Sequence, residues 1–199
     1  MRIADTLIKN KKVKNTILNN IAFTYLLEDQ NMINNGKFLE CYNAISTDKS
    51  QKNEITSICN AIQMLKNGNT LPEVALINTK GERVSSKVYA KPNTIFFFWT
   101  NAAKSHLEAV HKKVLALRKK FPHYNYVAVN INDSQEDWKK TLSNYKFNEI
   151  TELHSADFEK LKNKWAINKI HRTIILGNDG RIKNAFVNLF DATFEEHLK

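Results

Sequence analysis

Apolar residues in the first third of the chain recur at the spacing of a helix. Over residues 3–27 such positions, separated by polar residues, predict one amphipathic helix; they are Leu7, Val13, Ile17, Ile21 and Tyr25. Two further helices are predicted over residues 38–45 and 53–65, and the second of these ends at the helix-stop signal Asn67-Gly68-Asn69. The chain therefore opens with a helical section, which we assign to residues 1–70.

Beyond residue 70 the pattern changes from helix to strand. Residues 74–77 and 84–88 predict a hairpin, and Ile95-Phe96-Phe97-Phe98-Trp99 then forms an unbroken apolar run that is too short to span a membrane. Such a run is typical of a strand that is buried on both faces of a sheet. Thr100 or Asn101 can cap the helix that follows it. The apolar residues of that helix recur at helical spacing at Leu107, Val110, Val114 and Leu117.

Strands and helices alternate through the rest of the chain. The pattern predicts a strand over residues 124–131, a helix over 135–145, a loop or short strand over 149–154, a helix over 157–165, a hairpin of 173–176 with 182–187, and a last turn or two of helix at 194–198. This order predicts an α/β sandwich with a mixed sheet. The turn after the buried strand lies at the strand's carboxyl end, where open α/β sheets place their sites.

At this turn the sequence resembles a known family. Phe98-Trp99-Thr100-Asn101 followed by a helix is similar to the Phe-Trp-x-x-Trp-Cys-x-x-Cys segment of thioredoxin-fold proteins, specifically the TlpA/ResA type of bacterial cell-envelope thiol-disulfide reductases. Residues 126–133 resemble the family's next central strand, residues 173–182 its late hairpin, and residues 71–81 its first hairpin. The resemblance covers residues 71–199 and implies a thioredoxin-like α/β sandwich with a mixed central sheet, preceded by the all-α section.

The resemblance also shows what this chain lacks. The family's two cysteine positions fall on Ala103 and His106, and its cis-proline position falls on His171. Disulfide exchange needs one thiolate to attack and a second thiol to resolve the mixed disulfide. Because neither residue is a thiol, we expect no catalytic residue of the family's kind and no thiol-disulfide turnover at this turn.

The two cysteines of the chain, Cys41 and Cys59, lie instead in the helical section. Each has apolar neighbours at helical spacing, which is typical of core thiols; a structural disulfide between the second and third helices is the alternative. A third possibility is that these two thiols carry redox chemistry, which requires them to be exposed and low in pKa.

Charge and length limit the classes of partner. The 199 residues carry a formal charge of +10, but lysine is spread over every segment, which is more typical of a solvated surface than of a nucleic-acid interface. No run is long enough for a membrane helix, and the opening residues 1–5 lack the pattern of a signal peptide. Since relatives of this type are usually exported, we expect a location in the cell envelope or periplasm, with the true amino terminus upstream of this sequence.

Four residues near the turn are candidates for binding: Trp99, His106, His171 and Arg172. Trp99 alone is more typical of a core aromatic at the end of a buried strand. The resemblance implies that His106 and His171 approach each other, which is the beginning of a zinc or copper site, but no third ligand is evident, so no metal and no cofactor is predicted. We expect a redox-inactive module that binds a protein or peptide. The alternative is an enzyme of altered chemistry at these residues, or a histidine-based metal site at His106 and His171; the oligomeric state stays open.

Overall fold

The computed structural model describes residues 2–28, 34–145, 147 and 149–199. The chain divides into two compact units, Met1–Gln63 and Met64–Lys199. No helix among the described residues is both long enough and apolar enough to cross a membrane.

The first unit is helical. Its helices are α1 (Arg2–Leu7), α2 (Lys11–Glu28), α3 (Asn35–Ile45) and α4 (Lys49–Met64), the last of which ends one residue beyond the unit. The single helix predicted over residues 3–27 is therefore wrong. The chain breaks before α2 because the side-chain oxygen of Asn10 accepts hydrogen bonds from the backbone N–H groups of Lys12 and Val13, at 3.0 and 3.2 Å. Asparagine in this role ends one helix and caps the next.

Both cysteines belong to this unit and both are free thiols. Cys41 on α3 is half-buried and Cys59 on α4 is buried. The disulfide that the sequence left as an alternative is not formed.

The second unit is a seven-stranded sheet covered by helices on its two faces. Its elements are β1 (Ala75–Ile77), β2 (Arg83–Ser85), β3 (Thr94–Trp99), α5 (Lys104–Lys120), β4 (Asn125–Asn130), α6 (Gln135–Tyr145), β5 (Thr151–Ser155), α7 (Phe158–Trp165), β6 (Arg172–Leu176) and β7 (Ile182–Asn188). The strand order is β2-β1-β5-β4-β3-β6-β7. Strands β3, β4 and β5 are parallel and the outer pairs are antiparallel, so the predicted mixed sheet is confirmed.

The core is built around β3, all of whose residues are buried. This confirms the prediction of a strand covered on both faces. On one of those faces the apolar side of α5 packs against the sheet, and its four predicted core residues are each at most 1% exposed; they are Leu107, Val110, Val114 and Leu117.

The register of the parallel strands brings polar residues together at one edge. Trp99 on β3 pairs with Asn130 on β4, and Asn130 pairs with His154 on β5. These three residues form one row at the carboxyl ends of their strands. The turn from β3 to α5 begins at the residue after Trp99 and therefore lies next to this row.

Candidate functional site

The turn from β3 to α5 contains the positions of the missing thiols. Thr100 leaves β3, and a 3-10 turn over Asn101–Ala103 leads into α5. The Thr100 hydroxyl accepts a hydrogen bond from the Ala102 N–H at 3.4 Å and so caps the 3-10 turn rather than α5 itself. Ala103 is the last residue of the 3-10 turn, and His106 lies in the first turn of α5. Neither Ala103 nor His106 supplies a thiol to this turn.

Asp133, in the loop between β4 and α6, holds this turn in place through hydrogen bonds. Its carboxylate accepts hydrogen bonds from the Thr100 hydroxyl at 2.8 Å, from the Asn101 backbone N–H at 2.7 Å and from the Asn130 side-chain amide at 2.6 Å. The preceding residue, Asn132, has a φ of 60°, a left-handed conformation that asparagine tolerates better than most residues. Asp133 was not among the residues predicted from the sequence, although the Asn132-Asp133 pair two residues after a buried strand was a usable signal.

His106 is half-buried and packs against the ring of Phe190. Its Nε2 donates a hydrogen bond to the Phe98 carbonyl at 3.1 Å, and its ring lies 5.8 Å from the ring of Phe190. Burial is the main cause that lowers the pKa of His106, and nearby His171 lowers it further, whereas the Phe98 carbonyl opposes the shift. A hydrogen bond to the backbone of Ile170 also opposes the lowering of this pKa.

His171 lies close enough to His106 to lower the pKa of its imidazole. The Ile170-His171 peptide bond is trans, since no described residue follows a cis bond. The His171 carbonyl accepts a hydrogen bond from the Leu189 N–H at 3.0 Å, which holds the following residue, Phe190, next to the loop. Phe190 is 43% exposed. We call the surface formed by His106, His171 and Phe190 the His106 patch.

Trp99 and Arg172, the other two predicted binding residues, point into the protein. Trp99 is fully buried, and Arg172 is 7% exposed. The Arg172 guanidinium donates hydrogen bonds to the carbonyls of Trp165, Ala166 and Ala185 and stacks over the ring of Phe186. Burial lowers its pKa to about 9, which leaves it charged at neutral pH. Neither side chain offers an exposed group to a partner in this structure.

A buried acid and histidine lie beneath the turn. Glu152 on β5 accepts a hydrogen bond from Trp99 Nε1 at 3.1 Å, and its other oxygen is 3.0 Å from His111 Nε2. His111 Nδ1 donates to the Leu107 carbonyl at 2.7 Å, and the ring of Phe147 stacks on the imidazole at 3.6 Å. Burial raises the pKa of Glu152, while its hydrogen bonds to His111 and Trp99 lower it in part. This pair was missed because the strand that carries Glu152 was predicted only as a loop or short strand.

A second polar chain joins β5 to the turn. His154 Nδ1 donates to Asn130 Oδ1 at 2.9 Å, and Asn130 in turn donates to Asp133. The ring of His154 stacks on Trp138 at 5.4 Å. Burial lowers the pKa of His154, although nearby Asp133 raises it in part. The turn is thus hydrogen-bonded to a buried histidine two strands away.

Metal ligands are not clustered in this region. Among the residues that the structure describes, no group of three or more histidines, cysteines, aspartates or glutamates is arranged to hold a metal ion. His106 and His171 remain a pair without a third ligand.

Known proteins share the fold of the second unit. Residues 93–182 match the sequence profile of a thioredoxin-like family. No curated protein is similar enough to match. Among solved structures, the chain is similar to a thiol-disulfide oxidoreductase of Bacteroides vulgatus, with 21% identity, a TM-score of 0.59 and coverage of 67% of this chain and 95% of that one.

Two further structures extend the comparison. A thioredoxin-like protein of Bacteroides caccae shares 18% identity at a TM-score of 0.63, over 99% of this chain and 73% of that one. The thiol:disulfide interchange protein DsbE of Chlorobium tepidum shares 16% identity at a TM-score of 0.53, over 67% of this chain and 95% of that one. The second unit of this chain therefore has a thioredoxin-like fold, and the two cysteines of the chain do not form a Cys-x-x-Cys pair.

Proposed function

We propose that this protein is a redox-inactive thioredoxin-like module that binds a protein or peptide at the His106 patch. The observation that carries the proposal is the pairing of an exposed aromatic ring, Phe190, with half-buried His106 at the turn where the family places its thiols. Exposed aromatic side chains are enriched among residues that dominate binding energy at protein interfaces.

The chemistry of the turn supports binding over turnover. Ala103 has no reactive side chain, and the Nε2 hydrogen of His106 is already donated to a backbone carbonyl. Because the predicted third participant, Arg172, is held by interior carbonyls, an altered chemistry at these residues has no support from their geometry.

The test uses the purified chain and a library of random peptides displayed on phage. We expect enrichment of a peptide class, and about tenfold weaker binding of the enriched peptides to the Phe190→Ala variant, as is typical of an aromatic hot spot. Val88→Ala is the matched control, since Val88 is 56% exposed but lies in the 3-10 turn after β2. Equal binding by Phe190→Ala and the unmodified chain, or failure to enrich any peptide, would contradict the proposal.

The absence of redox activity is tested separately by insulin reduction. We expect no turnover by the unmodified chain. Turnover that disappears in Cys41→Ser or Cys59→Ser variants would assign the chemistry to the helical unit instead.

The location in the cell envelope is part of the proposal and is based on the family resemblance. Fractionation of the source cells, followed by immunodetection of the native protein, tests it directly. Recovery with the cytoplasmic fraction would overturn this part without affecting the binding proposal.

A further inference from the structure

A cleft of about 490 Å³ lies between α5 and α6, next to the turn. Its lining consists of Asn101, Lys104, Leu107, Asp133, Asp137, Lys140, Thr141, Asn144 and Tyr145. The three residues of the His106 patch do not line it. The cleft is at the carboxyl ends of parallel strands, where open α/β sheets bind ligands, and its volume is in the range of small-molecule sites.

The charges of this cleft are balanced in number but not paired. Lys104 and Lys140 are exposed, and the structure gives neither ammonium group an acceptor within the described part of the chain. Asp133 and Asp137 supply the negative charges, and no ion pair within 4.0 Å joins them to either lysine among the described residues. Two unpaired cations therefore share one cleft with two anions.

The two aspartates differ in how many hydrogen bonds their carboxylates accept from the protein. Asp133 uses its carboxylate to accept three hydrogen bonds from the protein. Among the described residues Asp137 accepts a single side-chain hydrogen bond, from the Ser134 hydroxyl to Oδ2 at 2.6 Å, which leaves its Oδ1 available to a ligand. A carboxylate offers about four acceptor positions, which leaves Asp137 the better partner for a cation.

We propose that this cleft binds a small zwitterion of the α-amino acid type, either a free amino acid or a short peptide with both ends free. The ligand's ammonium group donates to Asp137, and its carboxylate accepts from Lys104 and Lys140. The exposed amide of Asn144 supplies a further polar contact, and Leu107 gives the cleft an apolar floor. The binding site is independent of the His106 patch.

The first experiment titrates the isotope-labelled full chain with L-alanyl-L-alanine and follows amide chemical shifts. We expect saturable shifts in α5 and α6 near the cleft. The N-acetylated and C-amidated dipeptides each lack one charge, and each should bind about fivefold more weakly, the effect typical of one solvent-exposed ion pair. L-alanine is titrated in parallel, because its charges are about 3.5 Å closer together than those of the dipeptide. The tighter of the two ligands identifies the source of the zwitterion.

The second experiment assigns the charges to residues. Asp137→Asn should lower the affinity for the free dipeptide about fivefold but leave the affinity for the N-acetylated dipeptide unchanged. Lys140→Gln should likewise lower the affinity for the free dipeptide about fivefold but leave the affinity for the C-amidated dipeptide unchanged. Asp191→Asn and Lys119→Gln change the same charges at exposed positions outside the cleft and should have no effect. Absence of saturable shifts at millimolar ligand, binding of the capped dipeptides as tight as that of the free dipeptide, or equal losses in the control variants would overturn the proposal.

Discussion

The carboxylate of Asp133 should be a main determinant of the stability of the turn between β3 and α5. It accepts three hydrogen bonds of 2.6–2.8 Å, from one hydroxyl, one backbone N–H and one side-chain amide. Replacing Asp133 by alanine removes both acceptor oxygens, and with them all three hydrogen bonds. The donors on Thr100, Asn101 and Asn130 then have only water to satisfy them.

The expected loss follows from the burial of the group. A hydrogen bond to a charged group contributes about 1.5–3 kcal/mol when it is well buried. Because Asp133 is only half-buried, water competes at this site, and we take about 1 kcal/mol for each bond, which gives about 3 kcal/mol for Asp133→Ala. Asp133→Asn keeps one acceptor oxygen and the size of the side chain but loses the charge, so about 1–2 kcal/mol is expected.

Urea unfolding followed by tryptophan fluorescence measures these losses in the second unit of the chain, which contains Asp133. The chain has three tryptophans, Trp99, Trp138 and Trp165, and all of them lie in the second unit. The urea dependence of the unfolding free energy must be the same in all variants if the comparison is to report stability alone. Asp191→Ala is the control, because that exposed carboxylate accepts no hydrogen bond among the described residues. A loss below about 1 kcal/mol for Asp133→Ala relative to this control would refute the reasoning.

Two other buried groups give measurable predictions. Glu152→Ala leaves His111 Nε2 and Trp99 Nε1 without a partner in the interior, and we expect a loss of about 3–5 kcal/mol in the free energy of unfolding, measured by circular dichroism in urea; a loss below about 1 kcal/mol would contradict this. The pKa of His154 is lowered by burial, so the native state binds fewer protons than the unfolded state and stability is lost as the pH falls below about 6.5. The stability difference between the unmodified chain and His154→Asn should therefore shrink between about pH 7.5 and about pH 5, and a difference that stays constant over this range would contradict the prediction.

The fold was predictable because its elements follow simple apolar periods. The buried run of β3, the apolar side of α5 and the late hairpin are each visible in a short window of sequence, and their order determines the sheet. The break between α1 and α2 was missed because the apolar period continues across Asn10, whose capping bonds involve only two backbone N–H groups. The spacing of apolar residues alone therefore does not reveal a helix cap that depends on a single side chain.

The candidate site was predictable only in part, since its contacts join distant segments. The resemblance located His106 and His171, but the contact of Phe190 with His106 depends on the chain's return through β7. Glu152 bonds His111 across 41 residues, and only the strand register brings them together. The orientation of Arg172 was also not evident, because a basic residue next to a predicted site gives no sign that interior carbonyls receive its side chain.

The placement of buried polar groups in this domain bears on its function. Buried polar side chains cost free energy unless they are hydrogen-bonded, and fully satisfied networks rigidify the structure around them. Here Glu152, His111, Asn130, His154 and half-buried Asp133 all lie at or beneath the turn that carries no thiol. Their bonds fix the position of Trp99 and of the backbone from Thr100 to Asn101. A rigid turn suits the recognition of the proposed partner, because a preorganised surface loses little conformational entropy on binding.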